Sequence, residues 1–166
     1  MLDKTLIDEL QVDAEKVAVL LIDHGSRRQE SNQLLHQVAE LFRRESNYSI
    51  VEPAHMELAE PSISTAFDRA VDKGASFIVA FPYFLSPGRH WKNDVPRLVA
   101  KAAEKHDQGI RFLVAAPLGL HRLMCTIIEE RINDCVRQCV IESESPCDIC
   151  GDTAVCKIAD SGEAAS

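Results

Sequence analysis

Val17-Ala18-Val19-Leu20-Leu21-Ile22 is an unbroken apolar run that stops abruptly at Asp23-His24-Gly25-Ser26. A short run with no polar alternation fits a strand covered on both faces. Such a strand needs helices above and below it and parallel neighbours reached by crossovers. The next residues supply them. Leu34, Leu35, Val38, Leu41 and Phe42 recur at helical spacing and predict a helix over Ser31–Arg44. Ser49–Leu58 reads as a second strand, and Pro61 suits the first turn of a helix with Ile63, Phe67, Ala70 and Val71 inward and Gly74 as its stop. The pattern repeats with a strand at Phe77–Phe81, a Pro/Gly-punctuated loop to Asn93 and a helix opening near Pro96. A fourth strand at Arg111–Ala116 precedes a helix from about Leu120 to Val140. Four strands alternating with helices predict an α/β fold with a parallel sheet flanked by helices.

Residues 1–16 then form a polar lead-in, 17–140 one α/β domain, and 141–166 a cysteine-bearing tail, with Ser143–Pro146 marking the change. At 166 residues and 46% hydrophobic content, one core is the expectation. No apolar run reaches the ~18 residues that span a bilayer, so no membrane association is expected. The acidic lead-in does not read as a secretory or transit peptide. A formal net charge of -8 argues against nucleic acid as a partner, because phosphate neutralisation needs a basic face. Neither G-x-x-x-x-G-K-[ST] nor G-x-G-x-x-G occurs, so no nucleotide cofactor is expected.

In parallel α/β sheets, ligands bind beyond the carboxyl ends of the strands, and two histidines fall there. His24 leaves the first strand within Asp23-His24-Gly25-Ser26-Arg27-Arg28, and His90 follows the third within Pro82-Tyr83-Phe84-Leu85-Ser86-Pro87-Gly88-Arg89-His90-Trp91. Two imidazoles at neighbouring strand ends suit a divalent transition metal without identifying it. The aromatic residues of the second segment suit a flat ligand. Glu60 stands where the second strand meets the next helix; a carboxylate there either caps the helix or orients and deprotonates a ligand N–H. His55 lies nearer mid-strand, and His36, His106 and His121 lie on helices or at their ends; all four read as packed or solvated. All six cysteines follow residue 124, and Cys147-Asp148-Ile149-Cys150 is a soft-metal spacing. Four thiolates there suit structural zinc or an iron–sulfur cluster, and spacing chooses neither.

Three ordered segments carry a family resemblance: Leu21–Arg27, Met56–Ile63 and Phe84–Trp91. Together they resemble the signature of the short class II tetrapyrrole chelatases, and the likeness extends over roughly residues 16–158, through Val51–His55 to the cysteine tail. Within that family the plant-type sirohydrochlorin ferrochelatases are the nearest in pattern. The resemblance implies a flavodoxin-like half-domain, a chelatase domain used as a homodimer, and Fe2+ insertion into sirohydrochlorin with release of two protons. It maps the two signature histidines to His24 and His90 as metal-handling residues and places a substrate contact at Glu60; we take His24 also as the base and Glu60 also as catalytic. Substrate contacts map to Leu85, Ser86, Pro87, Gly88 and Arg89. Sirohydrochlorin is rich in carboxylates, so Arg27, Arg28, Arg89 and Lys92, which flank the two histidine loops, are the expected rim cations.

The resemblance further implies a 2Fe–2S cluster on Cys135, Cys147, Cys150 and Cys156. Cys139, one helical turn from Cys135, is the rival fourth ligand, and Cys125 reads as incidental. It also implies a chloroplast stroma location for a plant or algal source, and the cytoplasm otherwise. Cobalt is the rival metal, weakened by the absence of a histidine-rich tract. A metal-carrying or redox-sensing module without turnover is the reading from a different functional class.

Overall fold

The computed structural model describes residues 3–106, 109–140, 149–150 and 158. Four strands, β1 (Val17–Asp23), β2 (Ile50–His55), β3 (Phe77–Pro82) and β4 (Arg111–Val114), form one parallel sheet in the order β2-β1-β3-β4. β1 is therefore hydrogen-bonded on both edges, with Ala18 opposite both Ile50 and Ile78. The helices are α1 (Lys4–Leu10), α2 (Gln29–Glu45), α3 (Ile63–Asp72), α4 (Val95–Ala103) and α5 (Leu123–Val140). The lead-in thus contributes a short helix, and the parallel α/β sheet expected from the apolar runs is present.

The chain divides into two compact units, Met1–Gly119 and Leu120–Ser166. In the first, alternate residues of β1 serve two cores. Ala18, Leu20 and Ile22 pack with Phe67 of α3 and Val95 and Val99 of α4, whereas Val19 and Leu21 pack with Leu35 and Ala39 of α2. This two-sided burial explains why β1 carries no polar residue before Asp23. On the α2 side a cavity of about 320 Å³ remains, lined by Val19, Val38, Phe42, Val79, Phe81 and Leu118 among others. In the second unit, α5 presents Leu123, Ile127, Ile132, Val136 and Val140 as exposed apolar residues. Among the described residues no helix is long and apolar enough to cross a membrane.

Local chemistry sets the boundaries. Ser62 caps α3 by accepting the Thr65 N–H at 3.3 Å, Gly74 follows its end at φ +93°, and a proline opens α4. β2 ends at His55 instead of continuing to Leu58. Beyond His55 the chain turns, Leu58 takes φ +66°, and Glu57 N–H donates to the His24 carbonyl at 3.2 Å. Near the opposite rim, buried Glu52 of β2 is paired with Lys73 at the end of α3.

Truncating the same side chain inside and outside this core separates packing from composition. Leu20 is 0% exposed and Leu34 53%. Leu20→Ala should lower the unfolding free energy by about 2–5 kcal/mol, and Leu34→Ala by no more than about 0.5 kcal/mol, in urea titrations followed by circular dichroism.

Candidate functional site

β1 and β3 are the strands between which the sheet order reverses direction, and their carboxyl ends open the crevice favoured by ligands in such sheets. His24 leaves β1 there and His90 follows β3. Their ring centroids are 4.9 Å apart at an interplanar angle of 84°. His24 also stacks on Phe84, with centroids 4.4 Å apart and planes 17° from parallel. Both histidines line a cavity of about 370 Å³, with Phe84, Leu85, Ser86 and Gly88 on its wall. Tyr83 and Trp91 complete its aromatic surface, and Trp91 Nε1–H is anchored to the Ala115 carbonyl at 2.9 Å.

The two imidazoles are held differently. His90 sits at the start of a π-helical turn, His90–Asp94, and its Nδ1 lies 2.9 Å from Asp94 Oδ2. With Nδ1–H directed at that carboxylate, Nε2 keeps its lone pair for a ligand. His24 depends on its backbone. Gly25 follows it at φ +79°, and a Cβ at Gly25 would overlap the Glu57 carbonyl, so this turn requires glycine. Gly25 N–H donates to Asp23 Oδ1 at 2.8 Å. Asn32, at the first turn of α2, accepts the Ser26 N–H and donates to the Ser26 carbonyl, both at 2.8 Å.

The structure brings His24, His90, Leu85, Ser86 and Gly88 to one cavity. Pro87 and Arg89 belong to the same exposed loop, and Arg27, Arg28 and Lys92 are exposed beside the two histidines in sequence. None of these four cations has an ion pair among the described residues. Glu60 is exposed at the start of α3. Its Oε2 accepts the Ser62 N–H at 2.7 Å and the Thr65 hydroxyl at 2.9 Å, and these bonds, the backbone one foremost, hold its carboxyl below the usual glutamate range. The carboxylate thereby helps start α3. Glu57 lies closer to His24 along the hydrogen-bonded backbone, is exposed, and makes no side-chain hydrogen bond among the described residues. Sequence reasoning passed over Glu57, Asp94 and Asn32. Only the four-residue spacing of His90 and Asp94 offered a signal, and the segment read as loop.

Cys125, Cys135 and Cys139 of α5 carry thiols outside any disulfide, and Cys135 is exposed. Cys147 and Cys156 lie outside the described residues. Among the described residues no group of three or more His, Cys, Asp or Glu side chains is arranged around a metal position.

The sequence profile of the CbiX family matches residues 18–135, which include both histidine loops. The chain belongs to the CbiX family. As a CbiX chain it is 46% identical over 140 residues to the chloroplastic sirohydrochlorin ferrochelatase of Arabidopsis thaliana, covering 84% of this chain and 61% of that protein. It is 38% identical over 90 residues to the sirohydrochlorin cobaltochelatase of Methanocaldococcus jannaschii, covering 54% of this chain and 63% of the relative. The chain therefore spans somewhat less than two thirds of these curated relatives. Among solved structures it resembles the sirohydrochlorin chelatase SirB of Bacillus subtilis subspecies spizizenii in complex with cobalt, at TM-score 0.66 and 30% identity, over 72% of this chain and 50% of SirB.

Glu60 makes a pH-dependent contribution of definite sign. Its folded-state pKa is depressed, so its stabilisation is present above the ordinary value of 4.5 and is lost as pH falls through the depressed value. Glu60→Gln should lower stability at pH 7 by about 0.3–1 kcal/mol, and the difference from wild type should vanish in acid, measured by urea unfolding at pH 7 and below 4.

Proposed function

We propose that this CbiX chain is a sirohydrochlorin ferrochelatase: it inserts Fe2+ into sirohydrochlorin and releases two protons. The observation that carries this reading is the pair of imidazoles set 4.9 Å apart in an aromatic-walled cavity at the strand ends. The 46% identity to the Arabidopsis ferrochelatase supports iron as the metal. Two neutral imidazoles bind a divalent metal firmly enough to strip part of its water and weakly enough to surrender it to four pyrrolic nitrogens.

In this reading His90, oriented by Asp94, and His24, stacked on Phe84, take Fe2+ as substrate. The macrocycle lies against Tyr83, Phe84 and Trp91, with backbone contacts along Leu85–Arg89. Arg27, Arg28, Arg89 and Lys92 receive its peripheral carboxylates. As iron passes to the ring, its bonds to His24 and His90 and two ring N–H bonds break, and four N–Fe bonds form. Each released His24 or His90 nitrogen becomes available as a base, with Glu57 as the carboxylate placed to carry a proton to solvent. Glu60 supports this site by fixing the start of α3.

The assembly proposed is a homodimer. The four-stranded unit matches half of SirB, and two such units supply the two walls a tetrapyrrole needs. Apolar residues left exposed along α5 support burial against a second copy. For a plant or algal source the compartment proposed is the chloroplast stroma.

We also retain the 2Fe–2S cluster as a proposal, on Cys135, Cys147, Cys150 and Cys156. The chemistry of the donor set fits it, since Cys135 offers an exposed thiol outside any disulfide and Cys139 stands one helical turn away as the rival ligand. When bound, such a cluster supplies a one-electron redox couple that metal insertion does not itself use.

The cobaltochelatase reading is favoured by one observation, the match to the archaeal cobaltochelatase. Anaerobic insertion assays at equal free Fe2+ and Co2+, followed by the macrocycle spectrum, decide between the metals. Absence of turnover with either would leave the metal-carrying module. His24→Ala and His90→Ala should each lower the Fe2+ insertion rate by about 10²–10⁴-fold with the circular dichroism spectrum retained. Wild-type rates in the folded double variant would remove the histidines from the reaction.

The cluster has its own test. Anaerobically purified protein should contain iron and acid-labile sulfide, Cys135→Ser should lose both, and Cys139→Ser should keep them. A colourless protein containing zinc would replace the cluster with a structural zinc site.

A further inference from the structure

The assignment of His24 leaves its orientation unexplained. His90 is turned by Asp94, but the ring nitrogens of His24 make no hydrogen bond among the described residues, and its side chain is exposed. Its direction must therefore come from the turn that carries it. Asp23 holds that turn, because its Oδ1 accepts the Gly25 N–H at 2.8 Å. Asp23 is itself held. His55 Nδ1 lies 2.6 Å from the same oxygen, and the two residues are register partners on β1 and β2.

His55 is 0% exposed, and nothing in the insertion chemistry uses it. Asp23 Oδ1 accepts from Gly25, so the imidazole donates through Nδ1–H, and Nε2 is a buried atom without a hydrogen-bond partner among the described residues. A buried histidine with one satisfied and one unsatisfied nitrogen is costly to retain unless the satisfied bond is needed. The backbone around it ties the same pieces together. His55 N–H donates to the Pro61 carbonyl at 2.8 Å, Met56 N–H to the Asp23 carbonyl at 2.9 Å, and Glu57 N–H to the His24 carbonyl at 3.2 Å. One side chain thus joins the end of β1, the Gly25 turn and the loop bearing Glu57.

We propose that His55, acting through Asp23, is a positioning residue that aims His24 at the metal. It plays for His24 the part Asp94 plays for His90, one step removed through the backbone. The inference rests on the ferrochelatase reading of the site.

The test compares two substitutions that fill the same space differently. His55→Asn places an amide N–H where imidazole Nδ1–H stands, whereas His55→Gln moves its donor toward the Nε2 position. For His55→Gln, kcat should fall about 10–100-fold with KM for sirohydrochlorin within about twofold of wild type, while His55→Asn stays within about threefold in kcat. Co2+ added to the tetrapyrrole-free protein and titrated by its visible absorption gives a readout independent of turnover. Its affinity should fall in His55→Gln and hold in His55→Asn.

Should His55→Gln fail to fold, Asp23→Asn, which keeps the acceptor oxygen, and Asp23→Ala, which deletes it, apply the same contrast from the less buried end. Equal activity and equal Co2+ affinity in the two members of a pair, whether both normal or both reduced, would overturn the positioning role and leave His55 a packing residue. Wild-type protein that binds Co2+ but inserts neither metal would remove the ferrochelatase reading instead, and the Co2+ contrast would still decide the role of His55.

Discussion

The hydrogen-bonded ladders on both edges of β1 are the constraint from which the rest follows. A strand paired with β2 on one side and β3 on the other cannot expose either face to water without losing apolar burial. α3 and α4 must therefore cover one face and α2 the other. Parallel pairing in turn sends every crossover back beneath the sheet, so the segments after β1, β2 and β3 emerge along one rim. His24, Glu57 and His90 come together because of that rule. They are far apart in the chain, and no local contact in the sequence joins them.

The two imidazoles show how unequal support can serve one site. A carboxylate four residues on, across a π-helical turn, fixes the tautomer and ring angle of His90. His24 has an aromatic platform in Phe84 and a backbone that can take only glycine at its next position. A ligand histidine held by stacking and backbone retains some freedom about χ2, whereas one held by a carboxylate has little. The cavity thus pairs a stiff imidazole with a more yielding one. That combination suits a reaction in which metal must be held and then released.

Much of this was legible in the chain. The six-residue apolar run in β1 reads as a doubly covered strand, and a histidine directly after such a strand falls where parallel sheets bind ligands. His90 was legible because its loop joined aromatic residues to a second strand end. Glu60 was readable as either a helix-start acceptor or a base, and in the structure its carboxylate is bonded at the start of α3. That choice depended on the Ser62 amide and Thr65 hydroxyl both turning toward it, which is a matter of loop conformation and not of residue type. Asp94 was hidden for a related reason: a π-helical turn leaves no apolar periodicity, so the segment looked like loop. His55 read as packed or solvated, and it is packed. Its bond to Asp23 depends on the register between β1 and β2, and register is set by neither strand alone.

The buried Glu52–Lys73 pair lies away from the histidine rim, toward the opposite end of the sheet. Chemistry and anchoring are therefore assigned to separate ends of the same strands, linked only through a rigid apolar middle. The loops after β1 and β3 can change in sequence without touching the groups that tie α3 to β2. The anchoring rim can equally vary and leave the histidine rim as it was. That division makes substitutions at one end of the sheet independent of those at the other, as expected for well-separated sites.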